Sequence, residues 1–388
     1  MNIAVVGCGY VAESYAKTLV NYPDLKLIGA FDRDRSNLEA FCRRWKVPAF
    51  ESLDQLLNDS DVSIVLNLTN PRSHYEVTKQ CLEAGKHVYS EKPLAMDYQR
   101  ARELLERAKS KDLYLSSAPC SVLSETAQTL GKALRENIIG KVRLIYANFD
   151  DGMLAPNLSP WNWRNESGVA WPAKDEFEIG CTYEHAGYVL TWLAAFFGPA
   201  LRVTSFASCL IPDKGIPVEK MAPDFTVGCI EYGDNIVARL TCSLVAPKDK
   251  SLTIIGDGGV LSVPNVRNDA SVIRLRRAKP ARLRAALERQ VNKLGKLVNP
   301  NRGDEWQSME TLRVKAKPKH HFASSTKRVD FCRGVAELAS AIREKRRSRL
   351  SAELGAHIVE LIERLQYPER FTANGSITSR FEPIEPIS

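Results

Sequence analysis

The opening residues constrain the fold more than any other stretch. Asn2–Val6 is a short β-branched run, followed at once by Gly7-Cys8-Gly9-Tyr10-Val11-Ala12 and a helical stretch from Tyr10 to about Tyr22. A strand, a GxGxxA turn and a helix in that order open a βαβ unit of the dinucleotide-binding kind. Gly7 permits the tight turn, Gly9 lets the backbone approach a pyrophosphate, and Ala12 allows the helix to pack closely on the strand. The helix start at Tyr10, Val11 and Ala12 then turns its free N–H groups toward the phosphates. A second strand, Lys26–Phe31, ends at Asp32, 20 positions after Ala12. A carboxylate there can accept both hydroxyls of an adenosine ribose and repels a 2′-phosphate, so NAD is expected over NADP. Arg33 and Arg35 pull the other way, since either can pair with that phosphate.

The alternation continues. A helix follows from Ser36, and Val62–Leu68 and His87–Ser90 read as buried strands separated by a helix from about Ser73 to Ala84. Leu113–Ser117 closes the series. Repeated β-α units of this length predict a parallel, doubly wound sheet with right-handed crossovers. Beyond Ser121 the texture changes. One helix, roughly Ser124–Asn137, leads to segments of period-two character at Val142–Phe149, Val203–Ile211, Phe225–Tyr232, Asn235–Leu244 and Ser251–Gly256. Strands in succession without helices predict a largely antiparallel sheet. A helix around Glu184–Phe197 precedes most of them. Apolar faces at Phe331, Val335, Leu338 and Ile342, and at Leu354, Ile358, Leu361 and Leu365, mark two closing helices. The expected fold is α/β, with a Rossmann domain over 1–120. An α+β domain over 121–388 is expected to hold the substrate and form the oligomer.

The net charge of +8 would suggest a nucleic-acid partner if it were spread along one face. Between Arg267 and Arg302, however, eleven Lys/Arg meet two Asp/Glu, a local +9 that leaves −1 for everything else. The basicity belongs to one segment, and nucleic-acid binding is not expected. Within that segment Leu283, Leu287, Val291, Leu294 and Val298 recur at helical spacing among basic residues. A basic helical insertion is therefore expected at about 266–302, docked on the protein or a neighbouring subunit. Peripheral contact with an anionic membrane is its other reading. The nine cysteines are scattered, with no CxxC or Cys/His metal spacing, so reduced thiols and no metal are expected. No apolar run reaches the ~20 residues of a membrane span. The first residues lack the features of a signal peptide. A cytoplasmic protein is expected.

Three further motifs follow strand ends of the first sheet. Leu68-Thr69-Asn70-Pro71-Arg72-Ser73-His74 follows one strand, Tyr89-Ser90-Glu91-Lys92-Pro93-Leu94-Ala95 the next, and Ala118-Pro119 the last. Loops at the carboxyl ends of parallel strands are where such a sheet binds ligands. An ammonium at Lys92 would stand beside a nicotinamide and polarise a substrate oxygen as charge develops on it.

With these residues in view, the chain resembles the Gfo/Idh/MocA oxidoreductases, which include inositol dehydrogenases and glucose–fructose oxidoreductase. The resemblance covers nearly the whole chain. It rests on GxGxxA, Asp32, the TxPxxH-like stretch Thr69–His74, Glu91-Lys92-Pro93 and Gly334-x-x-Glu337-Leu338. It implies hydride transfer between a nicotinamide cofactor and a sugar-like substrate, a cis Lys92–Pro93 bond, and a homodimer or homotetramer. Cofactor contacts are then expected from Gly7, Gly9, Tyr10, Val11, Ala12, Asp32 and Arg33. Thr69, Asn70, Pro71, His74, Glu91, Lys92 and Pro93 complete them.

The family usually carries a helix-borne Asp-x-x-x-His whose histidine moves the proton. This chain departs from it. If Trp192-Leu193 is aligned on the family's Trp-Leu, His185 falls on the histidine and Cys181 on the Asp. If Glu178 takes the Asp position, Thr182 takes the histidine's. His185 is the only imidazole in the region, and imidazoles, with an ordinary pKa of ~6.5, suit reversible proton transfer. The expected catalytic set is Lys92, His185 and Glu178, with Glu178 or Glu184 orienting the ring. Trp161-x-Trp163-Arg164 and Trp171-Pro172-Ala173-Lys174 flank this stretch. Aromatic faces stack on sugar C–H surfaces, and basic groups hold a carboxylate or phosphate. Trp163, Arg164, Lys174 and Tyr183 are the expected substrate contacts, with the packing of an interdomain core as the other role for the tryptophans. Two other functions fit such a scaffold. One is an NAD-dependent glycosidase that oxidises its substrate transiently. The other is a non-catalytic nicotinamide-binding regulator, whose mark would be loss of Lys92 or His185.

Overall fold

The computed structural model describes residues 1–152, 162–278, 290–294, 309–314, 320–324, 328–371 and 375–386. Five parallel strands, β1 (Asn2–Val6), β2 (Lys26–Phe31), β3 (Ile64–Asn67), β4 (His87–Ser90) and β5 (Leu115–Ser117), lie in the order β2-β1-β3-β4-β5. The chain reverses its direction of travel across the sheet between β1 and β3, which opens a crevice at their carboxyl ends. Ile64-Val65-Leu66 is buried on both faces, as helices on either side of a parallel sheet require. The crossovers are α1 (Ala12–Leu19), α2 (Arg35–Trp45), α3 (Leu53–Asn58), α4 (His74–Glu83) and α5 (Tyr98–Ser110). Asp34, Ser52 and Asp97 cap α2, α3 and α5 by accepting N–H groups of the first turn. Helix α1 starts later than its sequence pattern predicts, because Tyr10 and Val11 are spent in the glycine turn.

The rest of the chain builds a second sheet. Helix α6 (Glu125–Arg135) leads to β6 (Val142–Asp150), then come α7 (Ala173–Ile179) and α8 (Cys181–Phe197). Seven strands follow: β7 (Arg202–Ser208), β8 (Phe225–Tyr232), β9 (Ile236–Ser243), β10 (Leu252–Gly256), β11 (Gly259–Val263), β12 (Ile273–Arg277) and β13 (Glu310–Leu312). Their order is β13-β12-β11-β10-β6-β9-β8-β7, antiparallel throughout except for β6 beside β9. Every side chain of α8 from Cys181 to Ala194 is buried. The helix lies between this sheet and α10 (Ala352–Gln366), which follows α9 (Arg333–Glu344). Helix α10 also packs on α5 and β5, so one helix touches both sheets.

The segment expected to form a basic helical insertion, 266–302, contains a strand instead at Ile273–Arg277. Ile273 and Leu275 are buried while Arg274, Arg276 and Arg277 are exposed, a period of two that pairing with β11 and β13 stabilises. Of the helix expected over 281–298, residues 290–294 are helical and the others lie outside the described residues. Among the described residues no helix is long and apolar enough to cross a membrane.

Helix α9 leans on β4 at Gly334. A Cβ there would stand 2.2 Å from the Tyr89 hydroxyl and 2.6 Å from its ring. Tyr89 is fully buried and sits just before the Ser90-Glu91-Lys92 loop, so the ring has nowhere to swing. We expect Gly334→Ala to lower the unfolding free energy by ~1–3 kcal/mol, as overpacking does. Chemical denaturation reads this directly, and an unchanged midpoint would show that the strand yields without cost.

Candidate active site

The edge of the first sheet fits a dinucleotide. Gly7 has φ +96°, and a Cβ on it would lie 2.7 Å from the backbone of Leu68 and Thr69. No other residue type fits there. Nothing lies within 4 Å of the place a Cβ would take on Gly9, so the turn is open to a ligand. Helix α1 begins without a side-chain cap, leaving N–H groups for an anion. Asp32 ends β2 and is aimed at the turn. Its Oδ2 accepts the Cys8 N–H at 2.6 Å and its Oδ1 the Asp34 N–H at 2.8 Å. Arg33 beside it is exposed. Asn165 donates to the Tyr10 carbonyl at 3.3 Å, and Glu166 pairs with Arg44 at 2.5 Å, so the turn around them docks on α1 and α2.

The next two loops are stapled together from beneath. His74 is buried, with Nδ1 2.7 Å from the Pro93 carbonyl and Nε2 3.0 Å from that of Thr69. It is a strut between the two loops. Burial lowers its pKa despite the two carbonyls. The Thr69 hydroxyl donates to Asn67 at 2.6 Å, and Asn70 accepts the Ser73 N–H at 3.2 Å, closing the short turn that begins at Pro71. Glu91 is a brace: it accepts the Tyr15 hydroxyl at 2.7 Å and the Lys92 N–H at 2.9 Å. The Lys92–Pro93 bond is cis, as the family resemblance implies.

Lys92 and His185 enter one cluster. The Lys92 ammonium pairs with Glu184 on α8, both side chains being largely buried. Burial works to lower the lysine's pKa, but Glu184 and the surrounding acidic groups prevail and raise it, so it stays charged. His185 is the next residue. Its Nε2 lies 3.1 Å from Glu176 Oε1 and 3.2 Å from Asp151 Oδ2, ion-pair distances for a protonated ring. Neither of those oxygens, nor His185 Nδ1, has a hydrogen bond, although all three are buried. Phe149 stacks with both His185 (5.0 Å) and Tyr188 (5.2 Å). Lys250 stands 4.5 Å from the Phe149 ring centre and pairs with Asp151. Arg267 stands 4.7 Å from the centre of Tyr188. Burial acts to raise the Asp151 pKa, but His185 and Lys250 hold it below the usual carboxylate range. Among the described residues no His/Cys/Asp/Glu group has the arrangement of a metal site.

Other expected site residues lie elsewhere. Glu178 pairs with Arg72 at 2.7 Å and Lys174 at 3.6 Å, tying the Pro71–Ser73 turn to α7 and leaving His185 to others. The carboxylate beside His185 comes from Glu176, because two helical steps of ~100° turn positions 176 and 178 to opposite faces. Lys174 is exposed and pairs with Glu219 at 2.8 Å. Trp163 packs against Trp171 at 5.6 Å, and Arg164 donates to the Gly168 carbonyl at 3.1 Å. Tyr183 is buried and donates to the Met96 carbonyl at 2.8 Å, away from the cluster. Tyr188, three residues after His185, shares its face and stacks on the same Phe149 ring. Sequence reading also missed Asp151, Lys250 and Arg267, which come from a strand end and two turns without a local signature.

Glycine turn, parallel sheet and second antiparallel sheet together define a dinucleotide-binding oxidoreductase. Residues 1–118 match the family described as "Oxidoreductase family, NAD-binding Rossmann fold", and residues 127–262 match the "GFO/IDH/MocA C-terminal domain". The chain belongs to the Gfo/Idh/MocA oxidoreductase family. It is 24% identical to trans-1,2-dihydrobenzene-1,2-diol dehydrogenase of Mus musculus over 264 residues, 67% of this chain and 73% of that one. Among solved structures it resembles the aldose-aldose oxidoreductase of Caulobacter crescentus complexed with glycerol (TM-score 0.72, 17% identity, 95% and 97% of the two chains). It is also similar to the WlbA dehydrogenase of Bordetella pertussis in complex with NADH and UDP-GlcNAcA (TM-score 0.67, 16% identity, 95% of each chain). The 3-ketoreductase KijD10 of Actinomadura kijaniata, in complex with TDP-benzene and NADP, is another likeness (TM-score 0.69, 18% identity, 94% and 96%). At these identities the solved structures bear on the fold.

The Lys250 ammonium carries a testable electrostatic signature. Burial first, then Arg267, pushes its pKa down to about 8, while Asp151 limits the fall. It is therefore charged below that pH and loses its proton above it. Replacing Arg267 with glutamine should raise this pKa, and Asp151→Asn should lower it, both followed by NMR titration of the lysine ε-methylene. A Lys250 that titrates alike in all three proteins would remove the coupling.

Proposed function

We propose that the protein is a nicotinamide-dependent dehydrogenase or reductase, acting on a secondary alcohol or ketone of a sugar, inositol or nucleotide-sugar, with NAD preferred over NADP. The observation that carries this reading is the meeting of Lys92 and His185 in one buried cluster at the carboxyl edge of the parallel sheet. Glu184 pairs with the lysine and adjoins His185, and Glu176 lies against the histidine. The UDP-GlcNAcA in the name of one structural neighbour and the aldoses in the name of another support the substrate class. A carboxylate at the end of β2, Asp32, supports NAD, since it repels a 2′-phosphate. In this reading residues 1–120 carry the cofactor and 121–388 the substrate, in a cytoplasmic homodimer or homotetramer.

When bound over the glycine turn, the nicotinamide supplies the hydride acceptor or donor. The chain's own groups do the rest. The substrate hydroxyl lies against His185 Nδ1, the ring nitrogen that has no partner, which takes its proton while Nε2 keeps its N–H toward the carboxylates. The imidazolium so formed stands beside Glu176 and Asp151, whose charges stabilise it as a triad carboxylate does. Lys92, kept ionised by Glu184, has further N–H donors for the same oxygen and stabilises the charge that gathers there. Reduction uses these groups in the opposite order.

A panel of sugars, inositols and nucleotide-sugars should yield reduced nicotinamide, followed by its absorbance. Lys92→Ala and His185→Ala should each lower kcat by ~10²-fold or more while NADH affinity, read by fluorescence, stays within a few-fold. Full activity in the His185 variant would assign proton transfer to another group.

Cofactor choice has its own test. Titration should show tighter binding of NAD than NADP, with Asp32→Ala narrowing the gap. A preference for NADP in the unaltered protein would shift the determinant to Arg33 and Arg35.

A further inference from the structure

The cations around the cluster are not alike. Lys92 is paired with Glu184 and Lys250 with Asp151. The Arg267 guanidinium makes no hydrogen bond or ion pair with any described residue, and rests on the Tyr188 ring at 4.7 Å. Its backbone is held firmly. Val266, fully buried, donates to the Lys250 carbonyl at 2.9 Å, and Asn265 accepts the Arg267 N–H at 2.9 Å. The same turn bridges Asn265 to Lys250. A tight, anchored turn thus presents a planar fork of donors over the face of α8 that carries His185 and Glu184. Arg267 also acts electrostatically on Tyr10 of the glycine turn and on Asp151. Its charge is therefore within reach of both the dinucleotide edge and the proton-transfer group.

Beside it, His185 Nδ1 is buried without a partner, while Glu176 Oε1 and Asp151 Oδ2 face only the ring's other nitrogen, at 3.1 and 3.2 Å. A buried polar atom is rarely left so, and Nδ1 marks a place for a ligand group. An arginine held over an aromatic ring keeps its in-plane N–H donors free, and those match a carboxylate or phosphate in a bidentate way. We propose that Arg267 reads an anionic group, a carboxylate or a phosphate, on the sugar substrate. This rests on the proposed function and narrows its substrate class to acidic or phosphorylated sugars.

The test is binding of glucose, glucuronate and glucose 6-phosphate to the NADH-loaded protein, measured by calorimetry. At least one anionic sugar should bind about tenfold or more tighter than glucose, the effect of a charge-assisted hydrogen-bonded pair. Arg267→Gln should abolish that difference, and Arg267→Lys should restore part of it, since lysine keeps the charge and loses the fork. A thermal melt matching the parent verifies that each variant is folded. Equal affinity for the three sugars, or none for any, overturns the proposal. So does an Arg267→Gln protein that keeps the anion preference. Loss of NADH affinity with the preference intact also overturns it, by assigning the guanidinium to the cofactor's phosphates. The two readings fail separately. Nicotinamide reduction with neutral and acidic sugars alike sinks only the role of Arg267. An Arg267-dependent preference without nicotinamide reduction by any sugar sinks only hydride transfer.

Discussion

Two opposite charges withdrawn together from water hold the halves of this protein in register. Lys92 ends a loop of the parallel sheet, Glu184 lies on the central helix of the second half, and neither has much solvent to fall back on. Removing one partner of such a pair costs about 3–5 kcal/mol, because the other charge is left stranded. The pair therefore sets the rotation of α8. With position 184 against Lys92, position 188, one turn on, must face the same carboxyl edge, and position 185 lies on the adjoining side of the helix, in line with 188. The start of α8 is fixed as firmly. Gly180 has φ +98°, with Gln366 of α10 only 2.7 Å from where its Cβ would be. Gln366 donates to the Ile179 carbonyl at 2.7 Å and accepts the Thr182 N–H at 3.2 Å. This junction breaks the chain between α7 and α8 and folds Glu176 back onto His185.

Around that anchor the charges are arranged so that each buried carboxylate has a cation or a donor close by. Glu184 has Lys92, Asp151 has Lys250, and Glu91 has the Tyr15 hydroxyl. Aromatic faces support the arrangement, since Phe149 and Tyr188 each carry a cation on the ring. Away from the cluster the same rule builds structure alone. Arg333 pairs with Glu125 at 3.0 Å, and Arg346 and Arg349 converge on Glu337 at 2.6 and 2.9 Å, in the helix whose Gly-x-x-Glu-Leu pattern was legible beforehand.

Much of the first sheet could be read from the chain because parallel strands are buried on both faces and leave unbroken apolar runs between helices. The glycine turn, Asp32, Lys92 and the helix carrying His185 were legible for that reason or through family likeness. The outer strands of the second sheet were harder. Gly259–Val263 and Glu310–Leu312 are short, and the basic residues of Ile273–Arg277 drew attention away from its two-residue period. Side-chain direction was harder still. Glu178 and Tyr183 have the right chemistry and the right neighbourhood, yet each turns to the wrong face of its helix. The break at Gly180, which decides that face, depends on a glutamine far along the chain. No local pattern encodes it.

The departure from the family's acid-and-histidine spacing has a physical resolution. Cys181 stands where an aspartate is usual, and it does no acidic work. Its thiol is fully buried, lies 3.4 Å from the Cys242 carbonyl, and burial pushes its pKa up to about 12. What an imidazole needs is a negative charge at the right distance, and the element that brings it is immaterial. Here two elements bring one, the end of β6 at Asp151 and α7 at Glu176. Two carboxylates within 3.2 Å of one nitrogen repel each other unless a cation stands near. Lys250 on Asp151 supplies that cation, and the turn after β11 brings Arg267 into the same field. The acids, the histidine and the basic residues thus depend on one another. That mutual dependence accounts for their meeting at one edge from such separate parts of the chain.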